Sequence, residues 1–322
     1  MVSSSDGALP SYDDLPIKEG APAGSSWGVW GDDDRFGCLN LLTPARAAAA
    51  AKLVGKGAVF ALNLEYELPD PPLFGRQAPQ HDVLGEGGHD DVLTFNTQSS
   101  SQWDGFRHVQ HPLHKHYNGI DDAHHGIDHW ATRGLAGRAV LVDVARHRDI
   151  DASTAEPITP EDLDATLAAQ GTTTEIGDIL LLRTGWTTWY RNLDEDARQS
   201  LPQQLKAPGL RPGTDMLRWL WDHHLAAVGS DNPALEIWPP GSHLTKEQRD
   251  DIRAADDPER TPEIFMHTAL LPLLGLPIGE LWDLDALAAD CAADGVYVGL
   301  FTSAPLRVRA GVASPPNALV LK

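Results

Sequence analysis

Cysteine is scarce in this sequence, and long apolar runs are absent. The 322 residues include only two cysteines, Cys38 and Cys291, which lie far apart and form no CxxC pair. We therefore expect neither a disulfide framework nor a thiolate zinc site, and we predict a reducing, cytoplasmic location. The first residues lack a basic segment followed by an apolar one, and no run of about 18 apolar residues occurs. The sequence thus predicts neither a signal peptide nor a membrane span.

Basic residues are also few relative to acidic ones. The chain contains 25 Lys and Arg against 46 Asp and Glu, which gives a formal net charge of −21. Such a charge repels phosphate groups, so nucleic acid and anionic membrane surfaces are not expected partners. The hydrophobic fraction of 42% is sufficient for a large core, and we predict one main domain.

The composition of the first 26 residues differs from that of the rest. Residues 1–26 are rich in Ser, Gly, Pro and Asp and contain too few apolar residues for a core of their own. We interpret them as a flexible arm that precedes a single domain at residues 27–322.

Helical and strand patterns alternate along that domain. Pro at the first helical position after Thr43 and Thr159 predicts helices over residues 44–54 and 160–170. Further helices are predicted at residues 213–224 and from residue 261 through His267. Apolar runs predict strands at residues 57–68, 137–145, 177–186, 226–232 and 277–281, with closing strands at Phe301 and residues 306–309. Residues 70–91 are predicted to form a long loop. The alternation is typical of an α/β fold.

Residues 95–119 contain the densest set of metal-binding and proton-transfer groups. Gln98, Gln102, Asp104 and His108 follow one another at spacings of four, two and four, which would place them on one face of an extended chain. A straight strand would separate Gln98 from His108 by about 33 Å, whereas the ligands of one ion lie about 2.0–2.2 Å from it. The chain must therefore curl, and we expect a strand at residues 92–97 to run into a turn near Gly105.

Seven of the 14 histidines lie between His108 and His129. A solvated, histidine-rich loop would explain most of them. His108 differs because it follows Asp104 by four residues and has Trp103 and Phe106 nearby, which could exclude water.

Residues 98–108, QSSSQWDGFRH, resemble the H-x-G-T-H-x-D-x-x-x-H signature of the cyclase-type metal-dependent hydrolases. That family includes bacterial kynurenine formamidase, isatin hydrolase and trans-dienelactone hydrolase. The two early signature histidines fall on Gln98 and Gln102 and the threonine on Ser101, while Asp104 and His108 match. Similarity to long-form members extends over residues 27–310, through WGVWGDDDRFGCLNLLTP, HYNGI, GDILLLRTGW, VGSDNPALE and the pair MH and GLPIGELWDL.

The resemblance implies a swivelling β/β/α-type α/β fold with a central mixed sheet, assembled as a homo-oligomer, either a dimer or a tetramer. It implies one divalent metal ion, Mn²⁺ or Zn²⁺, and a small-molecule substrate: a cyclic amide, lactone or aryl formamide whose C–N or C–O bond is hydrolysed. The implied ligands are Gln98, Gln102, Asp104 and His267; alternatively, the ion shifts toward Asp104, His108, His267 and Glu280. Because an amide oxygen is a hard donor, the glutamines favour manganese.

The roles of the other candidate residues follow from the reaction, in which a bound ion would activate a water molecule near neutral pH. We predict that His108 and Glu280 transfer protons, although Glu280 is also a candidate ligand. Asp231 and Glu236 would orient ligands through hydrogen bonds, or else cap a turn.

Three tryptophans, Trp27, Trp103 and Trp186, would line a planar substrate, or else belong to the core. Two other functions stay open: a cyclase or dehydratase of the lyase class, and a ligand-binding relative that has lost its metal.

Overall fold

A computed structural model of the chain describes residues 9–322. Residues 1–8 of the predicted arm lie outside that range. The rest of the arm contacts the body: the Tyr12 N–H donates to Asp222 (2.7 Å), Asp13 pairs with Arg218 (2.7 Å), and the Ser26 hydroxyl donates to the Leu274 carbonyl (2.8 Å). The flexibility of the arm stays a prediction.

The described chain contains 13 strands and ten α-helices. The strands are β1 (Val59–Ala61), β2 (Gln80–Leu84), β3 (Asp90–Thr94), β4 (Gln102–Asp104), β5 (Leu135–Asp143), β6 (Pro157–Ile158), β7 (Ile179–Arg183), β8 (Gly209–Leu210), β9 (Ala227–Ser230), β10 (Ile278–Glu280), β11 (Val298–Ser303), β12 (Ala313–Ser314) and β13 (Ala318–Leu321). The α-helices are α1 (Pro44–Ala50), α2 (Asp128–Arg133), α3 (Val144–His147), α4 (Pro160–Gln170), α5 (Trp186–Arg191), α6 (Glu195–Gln204), α7 (Thr214–Asp222), α8 (Lys246–Ala255), α9 (His267–Leu270) and α10 (Asp285–Asp294). Short 3₁₀ helices include Leu73–Gly75 and Pro258–Glu263.

Nine strands form one mixed sheet in the order β1-β13-β11-β5-β7-β9-β10-β4-β12. β5, β7, β9 and β10 are parallel to one another, and the other pairs in this sheet are antiparallel. The central strands are apolar along their length because both faces of a parallel sheet are covered; Leu180, Leu181 and Val228 have no exposed surface. The predicted α/β fold with a central mixed sheet is confirmed.

Local signals located several helices correctly. The Thr159 hydroxyl accepts the Asp162 N–H while the Asp162 carboxylate accepts the Thr159 N–H, and this reciprocal capping starts α4 at Pro160. Gly171 ends the same helix in a left-handed conformation (φ 63°). The Thr43 hydroxyl caps α1 by accepting the Arg46 N–H.

Other boundaries differ from the predictions. Residues 70–91 are not all loop, because β2 and β3 form a hairpin whose side chains are all exposed and therefore carry no apolar alternation. The segment 306–309 is not a strand; β12 and β13 close the sheet instead. Helical structure near His267 is broken into a 3₁₀ helix and the four-residue α9, and β1 covers only three residues of the predicted 57–68 strand.

None of the helices within residues 9–322 combines the length and apolarity needed to cross a membrane.

Candidate metal and active site

The candidate site lies where β4 pairs with β10 near one edge of the main sheet. In this antiparallel pair Gln102 lies opposite Glu280, and Asp104 lies opposite Ile278. Successive residues of a strand face opposite sides, so Gln102 and Asp104 share the face that carries Glu280. Residues 102–104, predicted to lie in a turn, are thus a short strand whose register brings these side chains together.

Three buried side chains converge on that face. One ligand atom from each of Asp104, His267 and Glu280 lies within 4.8 Å of the others. The His267 Nε2 atom is 3.0 Å from Glu280 Oε1 and 3.9 Å from Asp104 Oδ2. Asp104 Oδ2 is buried and has no hydrogen-bond partner in the described part of the chain, although such atoms are almost always paired. Two carboxylates and an imidazole, with one carboxylate oxygen lacking a partner, are suited to bind a divalent cation.

Glu236 fixes the orientation of His267. The Glu236 carboxylate accepts the His267 Nδ1–H (2.5 Å) and the backbone N–H groups of His267 (3.0 Å) and Met266 (2.5 Å). The Nε2 atom is therefore left to face Glu280 and Asp104, as in a metal-binding histidine whose other nitrogen donates to a carboxylate. Burial opposes charge on His267, but the adjacent Glu236 and Glu280 carboxylates outweigh it and raise the pKa of the imidazole well above its usual range.

The two glutamines bond to the carboxylates of the site. The Gln98 amide N–H lies 2.7 Å from Asp104 Oδ1, and the Gln102 amide N–H lies 2.5 Å from Glu280 Oε2. Each glutamine therefore satisfies one carboxylate oxygen and leaves the other directed at the centre. Burial and the charge of Asp104 raise the pKa of Glu280, whereas His267 lowers it.

His108 lies at the more open side of the cluster. Its Nδ1 accepts from the Gln98 amide (2.9 Å), and its Nε2 lies 3.8 Å from Asp104 Oδ2. A quarter of the side chain is exposed, against none of Asp104. Burial lowers the pKa of His108, although Asp104 partly opposes this shift. The imidazole is therefore neutral near pH 7, with its proton on Nε2 because Nδ1 accepts from Gln98.

Arg76 is a site residue that the sequence did not indicate. Its Nη1 donates to the Gln98 carbonyl (2.5 Å) and lies 3.5 Å from Gln102 Oε1. Arg76 follows the 3₁₀ helix Leu73–Gly75 inside the segment predicted to be loop. The available signal was the length of that segment, since long loops in compact domains are often functional.

The other predicted residues lie in packing or supporting positions. Trp103 faces the core, where it packs edge-on against Trp282 (4.7 Å) and donates to the Ser303 hydroxyl (2.9 Å). Trp186 is fully buried and stacks on Tyr190 (5.3 Å), and the Trp27 indole donates to the Pro272 carbonyl (2.8 Å).

Asp231 binds the turn between β7 and α5. Its carboxylate accepts the Thr184 N–H (2.7 Å), the Thr184 hydroxyl (2.8 Å) and the Gly185 N–H (2.8 Å). Burial raises the pKa of Asp231 to about 6. These contacts match the turn-capping alternative for this residue.

The histidine-rich region is not a solvated loop throughout, because His111 and His125 are buried. The Nδ1 atom of His111 accepts the N–H groups of Leu113 (3.2 Å) and His114 (3.3 Å). Its Nε2 therefore carries the proton and faces Glu259 at 3.7 Å, while the His114 Nε2 lies 2.7 Å from the same carboxylate. The His114–Glu259 hydrogen bond links residues 111–115 to the 3₁₀ helix Pro258–Glu263. The ligand atoms of His111, His114 and Glu259 lie within 4.8 Å of one another, but this second cluster is poorly suited to bind metal through His111, whose Nε2 carries the proton.

The Cyclase family model matches residues 33–237. The crystal structure of a novel cyclase is similar over 92% of this chain and 97% of that one, with 33% identity and a TM-score of 0.79. A search of curated proteins finds no match.

Isatin hydrolases share the fold. Isatin hydrolase A from Labrenzia aggregata, bound to benzyl benzoate, has 15% identity and a TM-score of 0.59 over 88% of this chain and 99% of that one. An isatin hydrolase bound to the product analogue thioisatinate has 17% identity and a TM-score of 0.60, over 86% and 97%.

Proposed function

This chain belongs to the Cyclase family, and from that premise we propose that it is a metal-dependent hydrolase. Its reaction would be hydrolysis of the C–N or C–O bond of a small cyclic amide, lactone or aryl formamide. The observation that carries this proposal is the buried Asp104 Oδ2, which has no hydrogen-bond partner within residues 9–322 and is directed at the centre that His267 and Glu280 also face.

We propose one divalent ion, Mn²⁺ or Zn²⁺, held by Asp104, His267 and Glu280. Two of these three ligands are carboxylates, hard donors that favour manganese. When bound, such an ion polarises a carbonyl and supplies hydroxide near neutral pH.

The side chains around these ligands have distinct tasks. Glu236 holds His267 by its Nδ1–H, so Nε2 faces the centre. Gln98 and Gln102 fix the carboxylates of Asp104 and Glu280 by amide N–H bonds. We assign proton transfer to His108: when its Nδ1 is released from the Gln98 amide, it takes a proton from the attacking water and returns it to the leaving nitrogen or oxygen.

The test combines metal analysis with hydrolysis of three neutral probes: phthalide, isatin and formanilide. We expect close to one equivalent of metal in the wild type, hydrolysis that stops on chelation and returns with Mn²⁺, and loss of both properties in Asp104→Asn. Asp128→Asn is the control, because Asp128 lies in α2 and accepts the Ala310 N–H away from the cluster. Less than about a tenth of an equivalent of metal, with no activity on adding Mn²⁺ or Zn²⁺, would favour the ligand-binding relative.

Solvent ¹⁸O separates hydrolysis from the lyase alternative. A hydrolase incorporates the label into the product carboxylate, whereas ring closure or dehydration does not. Unlabelled product would refute the proposed reaction while leaving the metal site intact.

We also propose a homo-oligomer, a dimer or tetramer. The hairpin β2–β3 exposes Val83, Leu84, Val92 and Leu93, and an isolated two-stranded hairpin is marginally stable in water. A second copy packed on the hairpin would cover these side chains. Light scattering after gel filtration tests this proposal, and a monomer at micromolar concentration contradicts it.

A further inference from the structure

A guanidinium group lies beside the candidate site with most of its hydrogen-bonding capacity unused. Within residues 9–322, Arg76 forms hydrogen bonds only through Nη1, to the Gln98 carbonyl and toward Gln102 Oε1. Of the other half-buried arginines, Arg138, Arg183 and Arg191 each pair with a carboxylate at 2.6–2.9 Å, whereas Arg46 and Arg249 bond to backbone carbonyls. Arg76 has no carboxylate partner in that part of the chain, even though acidic residues are in large excess.

The loop around Arg76 is held in place from several sides. The Asp70 N–H donates to the Tyr190 hydroxyl (2.8 Å), and Leu73 is buried in an apolar cluster that includes Trp186 and Tyr190. The Phe74 ring packs edge-on against Trp238 (4.9 Å), and the Arg76 guanidinium carbon lies 4.9 Å above the Phe74 ring. A cation over an aromatic face is stabilised there, so the guanidinium is positioned before any ligand binds.

Arg76 also lies next to the groups that would perform the chemistry. Its Nη1 contacts the backbone of Gln98, whose amide bonds to both Asp104 and His108. The guanidinium fork matches the two oxygens of a carboxylate in a bidentate arrangement. The Phe74 ring, 37% exposed, adds an apolar surface beside the same group.

We infer that Arg76 and Phe74 form a subsite for the carboxylate of a planar cyclic acid. This inference rests on the proposed function, because the proposed hydrolysis would produce the carboxylate that the subsite binds. Hydrolysis adds water across the acyl C–N or C–O bond: the new C–O bond forms, the ring bond breaks, and the leaving nitrogen or oxygen takes a proton. The acid so formed ionises at neutral pH, and its carboxylate is the group that Arg76 binds.

The experiment uses benzoate and benzamide as probes, because they share a planar shape and differ in charge. Binding of each to the as-purified full-length protein is measured by calorimetry, with metal content determined in every sample. We expect the wild type to bind benzoate at least about tenfold more tightly than benzamide, because charge-assisted bonds are roughly twice as strong as neutral ones. Arg76→Gln should remove the preference for benzoate. Arg76→Lys should keep the positive charge but lose part of that preference, because lysine lacks the planar fork of the guanidinium.

Arg253→Gln is the matched control, since Arg253 is exposed on α8. This variant should retain the wild-type ratio of benzoate to benzamide affinity. Equal binding of benzoate and benzamide by the wild type would overturn the inference, and so would an unchanged preference in a folded Arg76→Gln protein at equal metal content. If Arg76→Gln does not fold, an Arg76→Lys ratio identical to that of the wild type would overturn it.

The outcome for this subsite is separable from that for the hydrolase proposal. An Arg76-dependent preference for benzoate without metal-dependent hydrolysis of phthalide would retain the subsite and refute the hydrolase. Metal-dependent hydrolysis of phthalide without an Arg76-dependent preference for benzoate would retain the hydrolase and refute the subsite.

Discussion

Replacing Glu236 tests the network that orients His267. Its carboxylate accepts three N–H groups, from the His267 ring, the His267 backbone and the Met266 backbone, and is 1% exposed. Glu236→Ala leaves all three donors unsatisfied in the interior. Breaking a buried charged network of this kind costs about 3–5 kcal/mol, so we expect the free energy of unfolding to fall by that amount.

Glu236→Gln separates hydrogen bonding from charge. The glutamine oxygen can still accept, but its NH₂ group opposes at least one of the three donors, and one unsatisfied buried donor costs about 1–3 kcal/mol. The pKa of His267 should also fall, because one of the two carboxylates that raise it becomes neutral.

Urea unfolding followed by circular dichroism measures the first effect, and an NMR titration of the His267 ring measures the second. Glu19→Gln, on an exposed residue, is the control and should change stability by less than about 0.5 kcal/mol. A loss below about 1 kcal/mol for Glu236→Ala, with an unchanged His267 titration, would refute the reasoning.

Further predictions concern the ion and the proton-transfer group. Asp104→Ala should remove bound metal, as measured by mass spectrometry of the protein's metal content; retained metal would place the ion elsewhere. His108→Gln should lower kcat by about 10²–10⁴-fold with metal content unchanged, and loss of metal would make His108 a ligand. Because the Glu236 and Glu280 carboxylates raise the pKa of His267, an ion that binds its imidazole competes with a proton. Calorimetry should therefore show Mn²⁺ affinity rising from pH 6 to pH 8, and a flat profile would show that binding the ion displaces no proton from His267. The double change Gln98→His, Gln102→His should shift preference from Mn²⁺ toward Zn²⁺ in a competition titration; an unchanged preference would mean that neither side chain faces the ion.

Local signals in the sequence were sufficient for several elements. The Thr159 capping box defines α4 through contacts between residues three apart, and the apolar run of β7 reflects burial on both faces. The motif at residues 98–108 indicated the Cyclase family, which the family match confirms. It also selected Gln98, Asp104 and His108, which the structure joins through the Gln98 amide, and Gln102, which bonds to Glu280 at the same site.

The sequence by itself thus determined the class of fold, the family and the segment that carries the site, because these depend on periodicity and on short spacings. Only the tertiary structure decided how the site is completed. The β4–β10 register brings Gln102 to Glu280 across 178 residues, and Glu236 reaches His267 across 31. Arg76 enters from a segment without apolar periodicity, and Trp103 turns to the core because it alternates with Gln102 and Asp104 along β4. Such contacts depend on strand pairing and loop path, which no local pattern encodes.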